Sequence, residues 1–345
     1  MIYTVTFNPA IDYVVRLNSP LQVAAINRAT GEDCVLGGKG INVSGVLAQL
    51  GVESVALGFI AGETGAWLER GLAAQGLHTD FIHLQEGMTR INVKIKAGQE
   101  TELNGAGPNI PEAAMQALEA KLDVLQKDDV LILAGSIPAC LPQTTYERLL
   151  ARLQGRGVRA VVDATQNLLL KVLPYEPFLV KPNHHELGEL FGVTLESLEQ
   201  TEDCARRVQA QGARNVLVSM ADKGALLLDE EGRLHRGIPP RGEAGSAVGA
   251  GDSMVAGFLA GYARTGDYAL ALELGIAAGS ATAFSPWLAD KPDIRALLDA
   301  AVKLRDGRKL TDMELPLMGR IALKEALKKI EGTDLEKLLR RYNAI

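Results

Sequence analysis

Val130-Leu131-Ile132-Leu133-Ala134 runs into Gly135-Ser136-Ile137-Pro138, a helix-forming stretch covers 142–155, and Arg159-Ala160-Val161-Val162-Asp163 follows. Both five-residue runs are almost wholly apolar. A strand wetted on one face would alternate apolar and polar side chains, so these read as strands buried on both faces, which is the signature of a parallel sheet. The helix between them is long enough to carry the chain back for a parallel return.

The rhythm extends both ways. Upstream, a helix over 111–126 precedes the first run. Downstream, another helix leads to a strand over 178–183, then a helix over 196–211 and a strand over 215–219. Residues 225–229 and 233–237 read as a hairpin edge, and helices over 267–284 and 292–305 close the body. The expected fold class is α/β, a Rossmann-type three-layer core with a parallel sheet between helices. Two pieces do not join this rhythm. Strand-like runs over 2–7 and 13–17 have no helix between them, and 20–36 looks extended and irregular. Residues 89–96 alternate with period two and form a hairpin with 101–104.

In an open parallel sheet, ligands sit beyond the C-terminal ends of the strands. Ser136, Asp163, Lys181-Pro182-Asn183, Ser219 and Gly249-Ala250-Gly251-Asp252 are all expected at or just after strand ends. Two glycine turns that enter helices can face the same edge: Gly37-Gly38-Lys39-Gly40-Ile41-Asn42 and Gly249-Ala250-Gly251-Asp252, the latter running into Ser253-Met254-Val255. A glycine turn lets backbone N–H groups converge, and the helix behind it adds its positive end, so each suits an anion. Each also fits a tight helix-entry loop, with Lys39 solvated and Asp252 an ordinary first-turn residue. The first turn lacks the spacing of a Walker A loop.

The 345 residues suit one large α/β unit with an insertion. A net charge of −6 offers no footprint for nucleic acid. The three cysteines, Cys34, Cys140 and Cys204, match no zinc spacing, and the simple inference is a reduced, cytoplasmic protein. No apolar run reaches the roughly 18 residues of a membrane span, and residues 1–7 have a strand pattern rather than a leader.

The two glycine motifs together resemble the two signatures of the PfkB (ribokinase-like) carbohydrate kinases. Asn183-His184-His185-Glu186 resembles that family's Asn-x-x-Glu motif, and the opening over 4–12 is similar to the subgroup acting on phosphorylated ketohexoses. The resemblance covers about residues 1–308. It implies an α/β kinase core (1–8, 37–88 and 107–308), a small β-sheet lid (9–36 and 89–106) and a homodimer formed through the lid. It implies ATP and Mg2+ as cofactors and transfer of phosphate to fructose 1-phosphate, with tagatose 6-phosphate the alternative.

By the same resemblance, Asp12, Gly38 and Asn42 bind sugar hydroxyls and Lys39 helps hold the substrate. Arg28, Arg90 and Ser136 lie near the phosphate already on the sugar. Asp252 is the catalytic base, and Gly249, Ala250 and Gly251 form the anion hole. Lys181, Asn183, Ser219, Gly224, Gly251 and Ala278 line the ATP site, and Glu186 acts on the metal through water. Several residues have a plainer reading. Asp12 after Asn-Pro fits a turn, Glu186 fits a helix cap, and Ser219 fits a strand end. His184 and His185 read as solvent or packing residues, and Asp163 is left out of the site.

ATP brings about four negative charges and a sugar phosphate about two more. Lys39, Arg28, Arg90 and Lys181 would supply local positive charge despite the acidic total. A sugar-phosphate sensor built on a kinase fold stays open as a non-enzyme reading, although Asp252 and its glycines argue for catalysis. Residues 309–345 lie outside the resemblance. They read as two amphipathic helices with seven Lys/Arg against four Asp/Glu from Pro316 on, packed on their own domain, on a partner, or simply appended.

Overall fold

The apolar runs become neighbours in one sheet. The computed structural model describes residues 1–164, 166–240 and 248–305. The expected helices over 309–345, and Ser246 and Ala247 just ahead of the second glycine turn, lie outside the described residues. In chain order the strands are β1 (Ile2–Thr6), β2 (Ala10–Arg16), β3 (Gly31–Gly37), β4 (Ser54–Ala61), β5 (His78–Thr79), β6 (Ile82–Leu84), β7 (Arg90–Ala97), β8 (Gln99–Leu103), β9 (Val130–Ala134), β10 (Arg159–Asp163), β11 (Leu179–Val180), β12 (Asn215–Ser219), β13 (Ala225–Leu228) and β14 (Leu234–Gly237). The helices are α1 (Lys39–Gln49), α2 (Gly62–Ala74), α3 (Glu112–Leu122), α4 (Thr145–Leu153), α5 (Gln166–Val172), α6 (His184–Leu190), α7 (Leu198–Ala210), α8 (Ala250–Thr265), α9 (Tyr268–Phe284) and α10 (Lys291–Arg305).

The large sheet has the order β14-β13-β12-β11-β10-β9-β1-β4-β5, with β6 also on β4. From β12 across to β4 every neighbouring pair is parallel. Leu131, Ile132, Leu133, Val161 and Val162 have no exposed surface. Burying each such side chain contributes about 1.5–3 kcal/mol, and parallel partners on both sides of β9 satisfy its backbone. One layer of packing joins these strands to Met115, Leu118, Tyr146 and Leu149 of α3 and α4. On the other face Ile41, Leu68 and Leu72 of α1 and α2 pack on Ala56 and Ile60 of β4. β1 and β4 approach so closely that a Cβ on Gly58, whose φ is +154°, would stand 2.1 Å from the carbonyl oxygen of Thr6.

A second, four-stranded sheet has the order β3-β2-β7-β8. It gathers the two pieces that fell outside the β/α rhythm. Strand β3 lies inside the stretch that the sequence marks as irregular. Glu32 and Asp33 and a glycine at either end give it little strand propensity of its own. It is held as a sheet edge by antiparallel pairing along all of β2 and by the Arg16–Asp33 ion pair at 2.5 Å. Strand β11 is only two residues long where six were expected, because Pro182 cannot donate to the ladder.

The described chain forms two compact units. One is Met1–Met220 with Leu226–His235, and the other is Ala221–Ala225 with the residues from Arg236 on. In the second unit α8 and α9 pack through glycines. A Cβ on Gly257 would lie 2.5 Å from the carbonyl oxygen of Leu274, and one on Gly261 would lie 2.8 Å from Cα of Ala271. Among the described residues no helix is long and apolar enough to cross a membrane.

Candidate active site

Within the first unit, parallel pairing brings the ends of β9, β10 and β11 side by side. Asp163 ends β10, Lys181 follows β11, and Lys39 opens α1. Their side chains meet. Lys39 Nζ lies 3.1 Å from Asp163 Oδ2, and Lys181 Nζ lies 3.3 Å from Asp163 Oδ1. Asp163 and Lys181 are only 4% and 6% exposed, while Lys39 is 42% exposed. Burial by itself would raise the Asp163 carboxyl. Lys181 and then Lys39 outweigh it and hold Asp163 below the usual carboxylate range. Sequence reasoning placed Asp163 on the ligand edge but left it out of the site; the structure joins it to Lys39 and Lys181. The available signal was its place at the end of an apolar strand on the ligand edge.

Ser136 is exposed just beyond β9. Its approach is fixed by Gly135, at φ +100°, whose carbonyl accepts a hydrogen bond from the buried Tyr146 hydroxyl at 3.0 Å. Burial, and then the nearby Asp163, push that hydroxyl's pKa up, so it remains a donor. Gly135 N–H donates to the Asp163 carbonyl at 3.1 Å, which ties the two strand ends together.

The first glycine turn is dictated by contact with β1. A Cβ on Gly38 would meet Thr6 Cγ2 at 2.5 Å, and one on Gly40 would meet Thr6 Oγ1 at 2.7 Å and the Val5 carbonyl at 2.9 Å. Gly38 sits at φ +137° as the N-cap of α1. Thr6 Oγ1 accepts from Ile41 N–H at 3.1 Å, and Asn42 N–H donates to the Gly38 carbonyl at 2.8 Å.

In the small sheet, Asp12 of β2 pairs in register with Asn92 of β7. Asn92 Nδ2 donates to Asp12 Oδ1 at 2.8 Å, and Lys94 Nζ lies 3.1 Å from Asp12 Oδ2 and 3.7 Å from Glu102. Arg90, two residues before Asn92 on the same face, donates through Nε to the Asn8 carbonyl at 3.2 Å and through Nη1 to the Gly105 carbonyl at 3.5 Å. Burial lowers the Arg90 value and Asp12 opposes it; an arginine remains charged near neutral pH. Arg28 is exposed in the segment between β2 and β3, and among the described residues it makes no hydrogen bond to the Asp12 group.

Asn183 and Glu186 form a capping box on α6. Glu186 N–H donates to Asn183 Oδ1 at 2.9 Å, and Asn183 N–H donates to Glu186 Oε2 at 2.8 Å. Asn183 also bridges Ser219 across the sheet. Among the described residues no three His, Cys, Asp or Glu side chains cluster to hold a metal. Magnesium commonly takes one or two carboxylates and fills its shell with phosphate oxygens and water. A single Glu186 carboxylate, with Oε2 turned to its own backbone cap, fits a magnesium delivered with a nucleotide.

In the second unit, Gly249 is the N-cap of α8 in the left-handed region, at φ +79°. Asp252 is the third helical residue, 5% exposed. Its helix end is braced from behind. Ser253 Oγ reaches the Gly249 carbonyl at 2.9 Å and Thr282 Oγ1 at 2.8 Å, and Thr282 Oγ1 accepts from Ala289 N–H at 3.1 Å. Ala278 is buried in α9, one residue before Gly279, where a Cβ would come 3.1 Å from the Ala250 carbonyl. Gly224, at φ +90°, is packed so that a Cβ would meet the Gly237 carbonyl at 2.1 Å. A positive helix end, a left-handed glycine and an adjacent buried carboxylate can hold a phosphoryl group beside a base.

The model of the pfkB family carbohydrate kinases matches residues 5–292. The chain belongs to that family. The 1-phosphofructokinase of Bacillus subtilis (strain 168) is 44% identical over 298 residues, 86% of this chain and 97% of that one. The D-tagatose-1-phosphate kinase of Bacillus licheniformis is 35% identical over 291 residues, 84% and 95% of the two chains. The crystal structure of phosphofructokinase-2 from Escherichia coli in complex with substrates and products superimposes with a TM-score of 0.82 at 27% identity, covering 87% of this chain and 99% of that one. As a pfkB kinase the protein is a phosphotransferase, and the ribokinase-like α/β core with a separate small sheet is the fold expected from the strand–helix rhythm and the resemblance.

Proposed function

We propose that this pfkB kinase transfers the γ-phosphoryl group of ATP to fructose 1-phosphate, giving fructose 1,6-bisphosphate. The observation that carries the reading is the 44% identity to a 1-phosphofructokinase across nearly the whole of that relative. Tagatose 6-phosphate is the weaker substrate. The relative named for tagatose carries the 1-phosphate in its name, so both relatives argue for a phosphate at C1.

In this reading Asp12, Gly38 and Asn42 hold the sugar hydroxyls, with Lys39 beside them. Arg90, Arg28 and Ser136 receive the C1 phosphate. Lys181, Asn183, Ser219, Gly224 and Ala278 line the nucleotide. Asp252 accepts the proton of the attacking hydroxyl. Gly249, Ala250 and Gly251 present backbone N–H groups to the transferring phosphoryl group, whose transition state gains most from positioning and charge neutralisation. Magnesium held by Glu186 through water would add positive charge across the phosphates. The Lys39–Asp163–Lys181 chain supports this division, because one buried carboxylate orients a lysine of the sugar loop and a lysine of the nucleotide side.

The small sheet acts as the lid, and two copies of the chain pair through it as a cytoplasmic homodimer. Tyr13, Val15, Val93 and Ile95 lie half-buried on one lid face and support that contact. The test measures magnesium-dependent ADP release with fructose 1-phosphate, tagatose 1-phosphate and tagatose 6-phosphate, alongside mass by light scattering. Turnover highest on fructose 1-phosphate is expected. No turnover on any of the three refutes the kinase reading and favours a sensor.

A further inference from the structure

Three polar residues of β7, spaced two apart, share one face: Arg90, Asn92 and Lys94. Each makes a different contact. Arg90 ties the Asn8 carbonyl to the Gly105 carbonyl. These are the segments by which the chain enters β2 and leaves β8. Asn8 Nδ2 adds a bond to the Ala106 carbonyl at 2.8 Å, and Gly107, at φ +84°, packs so close to Asn8 that a Cβ would stand 2.1 Å from its Oδ1. The two crossings between core and small sheet are thus fastened together.

Asn92 is the link from that fastening to Asp12. It is 7% exposed, and its amide is used at both ends. Oδ1 accepts from Gly105 N–H at 3.1 Å, and Nδ2 donates to Asp12 Oδ1 at 2.8 Å. Lys94 then takes the other oxygen of Asp12. Two donors on fixed backbone leave the Asp12 carboxylate one orientation, with its remaining lone pairs set by the crossing segment rather than by β2 alone. A neutral amide suits the middle position. It can accept from a backbone N–H and donate to a carboxylate at once, which neither an acid nor a lysine can do.

We propose that Asn92 is a positioning residue that, with Lys94, orients Asp12 and couples the aim of the sugar-binding carboxylate to the Gly105 crossing. This rests on the reading of Asp12 as a sugar ligand. Asn92 acts through Asp12 and needs no contact with substrate.

The test is a double-variant cycle on KM and kcat for fructose 1-phosphate, with KM for ATP as the internal reference. Asn92→Ala is expected to raise the sugar KM about tenfold, the size of effect that one lost hydrogen bond to a charged group gives, while the ATP KM stays within about twofold. In an Asp12→Ala background the same change should add almost nothing, because the group it orients is gone. Lys94→Met should behave like Asn92→Ala, and Lys94→Arg should restore the sugar KM. The Lys94 side chain is 12% exposed and its ion pair is removed without touching the Asn92–Gly105 bond, which keeps the test decisive if Asn92→Ala does not fold. An Asn92→Ala effect of equal size with and without Asp12, or equal rises in both KM values, overturns the coupling and leaves Asp12 as a ligand. An Asp12→Ala enzyme with an unchanged sugar KM overturns the Asp12 reading and the proposal with it.

Discussion

Replacing Asp163 by asparagine keeps the volume and removes one charge from a chain of three in which Asp163 and Lys181 are buried. Lys181, at 6% exposure, then faces an amide in place of its carboxylate, and Lys39 turns to solvent. Breaking a buried ion pair by neutralising one partner costs about 3–5 kcal/mol, because the remaining charge is left uncompensated. For a chain of this size that is a fall in melting temperature on the order of 10 °C. The assay is thermal and urea denaturation followed by circular dichroism. A second variant checks the cause. Asp163→Asn combined with Lys181→Met removes both buried charges, and replacing a buried pair with neutral groups is often nearly neutral for stability. The double variant should therefore recover most of the lost stability. The pH dependence has a definite sign. Asp163 is held below its ordinary value, so its contribution is complete above the unfolded value of about 3.9 and is lost as pH falls through the lower folded value. The gap between wild type and Asp163→Asn is full at neutral pH, begins to narrow below about pH 4 as the unfolded carboxyl protonates, and closes once pH falls through the lower folded value, where a protonated Asp163 resembles the amide. A melting point within about 2 °C of wild type, or a double variant no more stable than the single one, refutes the reasoning.

Three further outcomes are expected. Asp252→Asn lowers kcat by ~10²–10⁴-fold with both substrates still bound, measured by steady-state kinetics and by titration of each substrate; normal turnover removes the base from Asp252. Gly40→Ala places a methyl group 2.7 Å from Thr6 Oγ1 and 2.9 Å from the Val5 carbonyl, so α1 must lift from β1; about 1–3 kcal/mol of stability and the affinity for sugar phosphate are lost together, read from urea midpoints and KM. Asp229 accepts from His235, Arg233 and two backbone N–H groups, which overcome its burial and bring its pKa down to about 2. Its contribution of about 2 kcal/mol is present above pH ~4 and disappears as pH falls towards 2, and Asp229→Asn flattens that part of the stability profile in urea titrations.

The strands and helices of the core were legible because each rests on local physics. Wholly apolar runs such as Leu131–Leu133 can only be buried on both faces, and the helices between them force a parallel return. Glycine turns before apolar helices marked Gly37–Asn42 and Gly249–Asp252, since left-handed backbone and close approach to β1 leave a signature in residue type. The resemblance to the pfkB kinases turned those turns into named expectations. Strand β3 was not legible, because its charged, glycine-bounded sequence becomes a strand only when β2 offers a partner.

The sequence by itself pointed to residue types that could do chemistry and to the strand-end edge of a parallel sheet as the place to expect them. The tertiary structure decided which of them touch. Asp163 meets Lys39 and Lys181 because β9, β10 and β11 are neighbours, and strand order is absent from local pattern. Asn92 and Lys94 close on Asp12 because β2 and β7 pair in one register, across about 80 residues of chain. A hydrogen bond or ion pair between residues so far apart leaves no period and no motif, so only the folded chain can show it.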